Sequence, residues 1–127
     1  MQRNKAKALI VEDNQDLSQL ISEALEEDYR TDIASDGRSA LRMVKNRIYD
    51  VMILDHHLSD IMGLTVLEKT NLISPSLKTV MISAYADDSV IKKARKLGVY
   101  DFLEKPFYIE KLVKVVNKAI EKKEDKV

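Results

Sequence analysis

Cysteine and tryptophan are absent from this sequence of 127 residues, which contains only three glycines and two prolines. The absence of cysteine excludes disulfide bonds and thiolate metal sites. Basic and acidic residues balance at 21 each, so the chain lacks the basic excess that is typical of proteins that bind nucleic acids or membrane surfaces. No apolar run is long enough for a signal peptide or a membrane span. With 45% hydrophobic residues, the sequence predicts one globular domain in the cytoplasm, with no direct binding to nucleic acid or membrane.

Short apolar runs alternate with helical periodicity about five times along the chain. The runs are typical of buried strands, at residues 7–11, 29–34, 51–54, 79–82 and 100–103. Apolar residues recur at helical spacing after each run, and Gly98 is placed to end the fourth helix. This alternation predicts an α/β fold with a parallel sheet and right-handed crossovers. Residues 121–127 are highly charged, and we expect them to form a tail in solvent.

Polar residues that can do chemistry follow directly after four of these runs. They are Glu12, Asp13, Asp55, Ser83 and Lys105. Because ligands of open parallel sheets bind outside the carboxyl ends of the strands, we expect these side chains to share one edge of the sheet. If the ends of the first and third strands share a site, the first strand is central, and the order is the flavodoxin-like 2-1-3-4-5.

Three carboxylates at one edge repel each other, and a hard divalent cation such as Mg²⁺ relieves that repulsion through oxygen ligands. Together with a hydroxyl and an ammonium, they form a set that is suited to phosphoryl transfer. Each residue also has a simpler interpretation. Asp13 or Asn14 is a candidate cap of the first helix, Ser83 is a candidate cap of the fourth helix, and Lys105 is a candidate surface lysine.

Four motifs follow the predicted strands in order: Val11-Glu12-Asp13, Ile53-Leu54-Asp55, Ser83-Ala84 and Glu104-Lys105-Pro106-Phe107. As an ordered set they resemble the receiver domain of two-component response regulators, and the resemblance runs from Ala6 to about Ile120. Asp60 and Gly63 also fit the family's pattern. The resemblance implies a single receiver domain over residues 1–127 with the flavodoxin-like (βα)5 fold, and part of the expected strand order comes from it.

The resemblance also implies a role for each residue of the acidic group. Asp55 would accept a phosphoryl group from a sensor histidine kinase or a histidine phosphotransfer protein. Asp13 and Asp55 would bind Mg²⁺ directly, with Mn²⁺ as the alternative ion, and Glu12 would act through water. The backbone carbonyl of His57 would be a further ligand. The protein would catalyse only its own phosphorylation and dephosphorylation, and would otherwise not be an enzyme.

The remaining implied roles concern the response to phosphorylation. Ser83 and Lys105 would contact phosphoryl oxygens, and the bond between Lys105 and Pro106 would be cis. Phe102 falls at the family's aromatic switch position. The face made by the fourth helix, the fifth strand and the fifth helix would bind a partner or form a homodimer. We expect either a stand-alone regulator or the receiver of a longer one, such as a transcription activator.

Two positions after Asp55 depart from the family's pattern. Ser59 stands where proline is usual, and His56 stands where an apolar residue is usual. His56 and His57 lie beside the acids, but adjacent residues of an extended chain point in opposite directions and rarely bind the same ion. We therefore interpret both as ordinary loop histidines.

Three other functions fit parts of the sequence. A dehalogenase-type phosphatase would have a second aspartate where His57 stands. A flavodoxin-like electron carrier would have a hydroxyl-rich loop in place of residues 12–16, and flavin absorbance would identify it. A receiver-like interaction module that does not take phosphate typically loses the acids or the lysine, and all of these are present here.

Overall fold

The computed structural model describes residues 5–85 and 87–121, which form a five-stranded sheet and five helices. The strands are β1 (Ala6–Val11), β2 (Tyr29–Ala34), β3 (Val51–Asp55), β4 (Lys78–Ser83) and β5 (Asp101–Glu104). The helices are α1 (Gln15–Leu25), α2 (Gly37–Asn46), α3 (Gly63–Ile73), α4 (Asp88–Lys96) and α5 (Ile109–Glu121). All strand pairs are parallel, and the order β2-β1-β3-β4-β5 confirms the predicted fold.

Three strands, β3, β4 and β5, end one residue later than their apolar runs because the backbone ladder continues through polar residues. Asp55 pairs with Ile82, and Ser83 pairs with Glu104. Ladder hydrogen bonds join backbone groups and do not depend on the polarity of the side chain. Asp55 and Ser83 are therefore the last residues of β3 and β4 instead of the first residues of loops.

Alternate residues of the strands face two separate hydrophobic clusters. Leu9 and Leu54 pack on the side covered by α2, α3 and α4, whereas Ile10 and Ile53 pack on the side covered by α1 and α5. This is the arrangement of a parallel sheet with helices on both faces. Every residue of β3 is buried, so the central strand carries Asp55 from inside the core to its edge.

Three helices begin at side-chain caps, each satisfying a backbone N–H group that has no partner within its helix. Asn14 accepts a hydrogen bond from Leu17 N at 2.9 Å, Asp36 from Ser39 N at 2.8 Å, and Asp87 from Val90 N at 3.0 Å. Asn14 caps α1 and Asp87 caps α4, so neither Asp13 nor Ser83 is the cap that its simpler interpretation requires.

Gly63 allows α3 to begin directly against the end of β3. A Cβ atom there would lie 2.6 Å from the Asp55 carbonyl oxygen and 2.6 Å from the His56 Cα, and neither backbone atom can move aside. Its N–H donates to the His56 carbonyl at 2.7 Å. The loop between β3 and α3 is therefore closed on itself beside Asp55.

Helix α5 is the last element that the structure describes. Glu121 ends α5, and the rest of the predicted charged tail, residues 122–127, lies outside the described residues. Gly98 has φ +84° after α4, in agreement with its predicted role at the end of that helix. Within the described ranges, no helix is long and apolar enough to cross a bilayer.

Candidate functional site

Three carboxylates converge at the carboxyl edge of the sheet, where the parallel strands end. Glu12 and Asp13 follow β1, and Asp55 ends the neighbouring β3. One carboxylate oxygen from each lies within 4.8 Å of the others, and this is the one such group of metal-binding side chains in residues 5–85 and 87–121. Glu12 and Asp55 are only 2% and 3% exposed, whereas Asp13 is exposed to solvent. Two carboxylates of the group are therefore buried, and the third, that of Asp13, is open to solvent.

Lys105 joins the two buried acids of this group. Its Nζ atom lies 3.0 Å from Glu12 Oε1 and 3.3 Å from Asp55 Oδ2. Its backbone N–H donates to the Ser83 carbonyl at 2.8 Å, and the peptide bond between Lys105 and Pro106 is cis. Because this ammonium is partly buried and shared between two carboxylates, Lys105 is not an ordinary surface lysine.

Burial dominates the electrostatics of the group. It raises the pKa of Glu12 from 4.5 to about 7, although hydrogen bonds from Asn14 N and Lys105 oppose the shift. Burial acts to lower the pKa of Lys105, but the two carboxylates outweigh it and raise that pKa. If all three acids are ionised, their three negative charges and the one ammonium leave a net charge of −2. A divalent cation with oxygen ligands would neutralise this charge, so the residues present fit Mg²⁺.

Ser83 lies at the end of β4 with its hydroxyl engaged in its own turn. The side chain is fully buried, and Oγ donates to the Tyr85 carbonyl at 3.0 Å and accepts from Tyr85 N at 3.1 Å. Phe102, on the adjacent β5, is half-buried and packs against the cluster under α2, α3 and α4. The strand ends thus bring Glu12, Asp13, Asp55 and Lys105 into one group, with the Ser83 hydroxyl beside it and bonded elsewhere.

The two histidines after Asp55 lie in different environments. His57 is exposed, its backbone N–H donates to Asp55 Oδ1 at 3.2 Å, and its ring stands edge-on to the Tyr85 ring with centroids 5.7 Å apart. His56 is only 3% exposed, and its Nδ1 has no hydrogen-bond partner within the described part of the chain. The interpretation of both as loop histidines missed this burial, which the family's usual apolar residue at His56 could have signalled.

A model of the response regulator receiver domain matches residues 8–117 of this chain. The chain belongs to that family. The matched range begins within β1, includes the other four strands and contains the whole carboxylate group with Lys105. It is therefore a receiver domain of the two-component systems, as the resemblance implies, and its acidic group fits a magnesium site.

Relatives of very different length share this receiver sequence. The chain is 35% identical over 116 residues to the nitrogen assimilation regulatory protein NtrX of Azorhizobium caulinodans, covering 89% of this chain and 26% of that protein. It is 28% identical over 115 residues to sporulation initiation phosphotransferase F of Bacillus subtilis, covering 90% of this chain and 93% of that protein. The chain thus spans about a quarter of the first relative and nearly all of the second.

The fold is similar to that of a solved CheY-like receiver domain protein from Methanospirillum hungatei. The TM-score is 0.93, and the match covers 98% of this chain and 100% of that one. Only 23% of the residues are identical, so this similarity supports the fold alone.

We expect the Glu12→Gln variant to remove a pH-dependent loss of stability from the metal-free protein. Glu12 ionises near 4.5 when unfolded and near 7 when folded, so the folded state binds more protons between these values. The wild-type free energy of unfolding should therefore fall as pH rises through this window, by at most about 1.4 kcal/mol per pH unit from this group. Below about pH 4.5 the contribution of Glu12 is fully present.

Urea unfolding at several pH values measures this effect. The stability of Glu12→Gln relative to the wild type should increase from about pH 5 to about pH 7 and then level off. Glu110→Gln, which removes an exposed acid from α5, is the control and should follow the wild-type curve. Parallel curves for Glu12→Gln and the wild type would show that burial of Glu12 does not control this dependence.

Proposed function

We propose that this receiver accepts a phosphoryl group on Asp55 from a phosphohistidine of a sensor histidine kinase or a histidine phosphotransfer protein. The observation that carries the proposal is the position of the Asp55 carboxylate. It lies at the end of the central buried strand, 3.3 Å from the Lys105 ammonium and within 4.8 Å of two further acids. A carboxylate held in this way can act as a nucleophile once its charge is balanced.

The transfer exchanges one bond to phosphorus for another. An Asp55 carboxylate oxygen attacks the phosphorus atom as the phosphorus–nitrogen bond to the donor imidazole breaks. The imidazole leaves with the bonding electron pair and takes up a proton. Lys105 then pairs its ammonium with a phosphoryl oxygen, and the Ser83 hydroxyl donates to another. Such a reaction needs positioning and charge neutralisation more than further covalent chemistry from the protein.

The acidic group would hold the cation that this reaction requires. Asp13 and Asp55 offer direct carboxylate ligands, Glu12 would act through water, and the His57 backbone carbonyl would complete the protein's set. Mg²⁺ fits these hard oxygen donors, and Mn²⁺ is the alternative. When bound, the ion neutralises charge on the phosphoryl oxygens. The exposure of Asp13 leaves room for the water ligands that Mg²⁺ retains.

Phosphorylation would be transmitted through Ser83 and Phe102. The Ser83 hydroxyl must leave Tyr85 to reach a phosphoryl oxygen, so the start of the loop between β4 and α4 would move towards Asp55. Phe102 would rotate inward as this segment moves. The face made by α4, β5 and α5 would then change shape and bind a partner or a second copy of the chain.

Residues 1–127 would form one cytoplasmic receiver domain, with the expected charged tail beginning after Glu121, the last residue of α5. The domain would not itself bind nucleic acid or membrane. It catalyses only its own phosphorylation and dephosphorylation. The balanced charge of the chain supports only the expectation that the domain does not itself bind nucleic acid or a membrane surface.

We expect incubation with a small phosphodonor and Mg²⁺ to add one phosphoryl group to the wild type and none to Asp55→Asn. The amide cannot act as the carboxylate nucleophile, so intact-protein mass spectrometry should show the unmodified mass alone. Asp88→Asn, which removes an exposed acid from the first turn of α4, should be modified like the wild type. Modification of Asp55→Asn at the wild-type rate would refute the assignment, and an unmodified wild type would favour an interaction module that does not take phosphate.

We expect Mg²⁺ to raise the melting temperature of the wild type but not of Asp13→Asn. A ligand present at 100-fold excess over its dissociation constant stabilises the state that binds it by about 2.7 kcal/mol. Removing the Asp13 charge weakens repulsion within the group, so the metal-free variant should be at least as stable as the wild type. Thermal unfolding with and without Mg²⁺ measures both effects. An equal metal-dependent shift in Asp16→Asn and the wild type is the expected control, and an unchanged shift in Asp13→Asn would contradict the site.

We expect Ser83→Ala to accept phosphate yet to lose much of the response of the α4–β5–α5 face. The variant keeps Asp55 and Lys105 but has no hydroxyl to draw towards the phosphoryl oxygen. NMR chemical-shift changes of residues 87–112 on adding beryllofluoride and Mg²⁺ measure the response. The full wild-type pattern in Ser83→Ala would refute this coupling route while leaving Asp55 as the acceptor. Ser89→Ala, an exposed serine in α4, is the matched control.

A further inference from the structure

The side chain of Asp60 connects the loop after β3 to the beginning of α2. Its Oδ1 accepts hydrogen bonds from Gly37 N at 2.8 Å and from Ile61 N at 2.8 Å. Its Oδ2 accepts from Arg38 N at 2.9 Å. The Arg38 side chain adds only a long ion pair of 4.0 Å at an exposed position, so the backbone hydrogen bonds are the main connection.

Two acids, Asp60 and Asp36, together cap the beginning of α2. The first N–H groups of a helix have no intrahelical partner, and in α2 those of Gly37 and Arg38 are satisfied by Asp60. The next one, Ser39 N, donates to Asp36 Oδ1 at 2.8 Å. Burial acts to raise the pKa of Asp60, but the backbone N–H groups outweigh it and lower that pKa. Asp60 therefore stays ionised at the positive end of the helix dipole.

Apolar contact reinforces the connection. A Cβ atom on Gly37 would lie 2.4 Å from Ile61 Cγ1 and 2.9 Å from Val66 Cγ2, so the loop packs directly on the start of α2. At its near end the loop is held by His56, whose N–H donates to the Ile82 carbonyl at 2.9 Å. The segment that carries His57 is thus fixed at both ends, and Asp60 provides the polar part of the far anchor.

We propose that Asp60 is a positioning residue for the cation site. By anchoring the loop to α2, it holds the His57 carbonyl in place for the proposed ion. Ser59 lacks the fixed φ of proline, so the loop needs another restraint if it is to stay ordered. This inference depends on the proposed Mg²⁺ site, and Asp60 itself contacts neither the acceptor nor the ion.

The test compares Asp60→Ala with Asp36→Ala. Both variants remove an acid that caps α2, but only Asp60 also bonds to the loop after β3. We expect both to lower the free energy of unfolding, whereas only Asp60→Ala should weaken Mg²⁺ binding, by about tenfold in isothermal titration calorimetry. Asp60→Asn, which keeps one acceptor oxygen, should show a smaller loss and serves as the second variant if Asp60→Ala does not fold.

A measurement without metal separates this inference from the proposed function. Amide hydrogen exchange of residues 57–63 in the metal-free protein should become faster in Asp60→Ala but not in Asp36→Ala. Adding Ser59→Pro to Asp60→Ala should restore Mg²⁺ affinity without restoring the hydrogen bonds to α2. Wild-type affinity and exchange in Asp60→Ala would mean that Asp60 is only a helix cap and would overturn the inference. If the wild type itself binds no Mg²⁺, the proposed cation site fails first.

Discussion

The structure depends on one ammonium that makes the burial of two carboxylates tolerable. Glu12 and Asp55 are almost completely buried at the edge of the core, where an unpaired charge would be severely destabilising. Lys105 reaches both from the end of β5, with Nζ–oxygen distances of 3.0 and 3.3 Å. The order of the strands makes this possible, because β1 and β3 are neighbours, so Glu12 directly after β1 lies close to Asp55 at the end of β3. In the proposed chemistry, the same ammonium would form an ion pair with a phosphoryl oxygen.

The charge of Lys105 does not balance the charge of the acidic group, and the remaining negative charge points to a functional site. One ammonium cannot neutralise three carboxylates, and the raised pKa of Glu12 reflects the cost of burying charge there. Proteins are expected to bury unbalanced charge of this kind mainly at functional sites. Asp13 also fits a functional site. It is exposed beside the buried acids, and it does not cap α1, because Asn14 does so. The group could therefore bind a metal ion, and its arrangement does not maximise the stability of the metal-free fold.

Much of the fold could be predicted because its signals are local. Each apolar run gave a strand, but the strand order required the hypothesis that Glu12, Asp13 and Asp55 share a site, together with the family resemblance. Some details could not be predicted, because they depend on backbone geometry and not on residue type. Asn14 and Asp13 are equally good caps by composition, and the structure selects Asn14.

Long-range contacts of loop residues were also beyond the sequence. The hydrogen bonds from the start of α2 to Asp60 join residues more than 20 positions apart, and no periodicity in the sequence predicts them. A histidine does not by itself indicate burial. His56 is nevertheless buried, and its Nδ1 has no hydrogen-bond partner within the described residues. Only the family's preference for an apolar residue at that position pointed to a buried side chain.

Some loops around Asp55 are held by contacts to distant elements and others by contacts to nearby residues. This difference indicates which loop could respond to phosphorylation. The loop after β3 is anchored to a separate helix through Asp60, and Lys105 is held by two buried acids. The turn after β4 is held at Ser83 by hydrogen bonds to Tyr85, two residues away, which a phosphoryl oxygen can replace with a charge-assisted bond. Since the Ser83 hydroxyl can change its partner while the Ser83 carbonyl keeps its hydrogen bond from Lys105 N, this turn is the segment that the proposed phosphorylation of Asp55 would move.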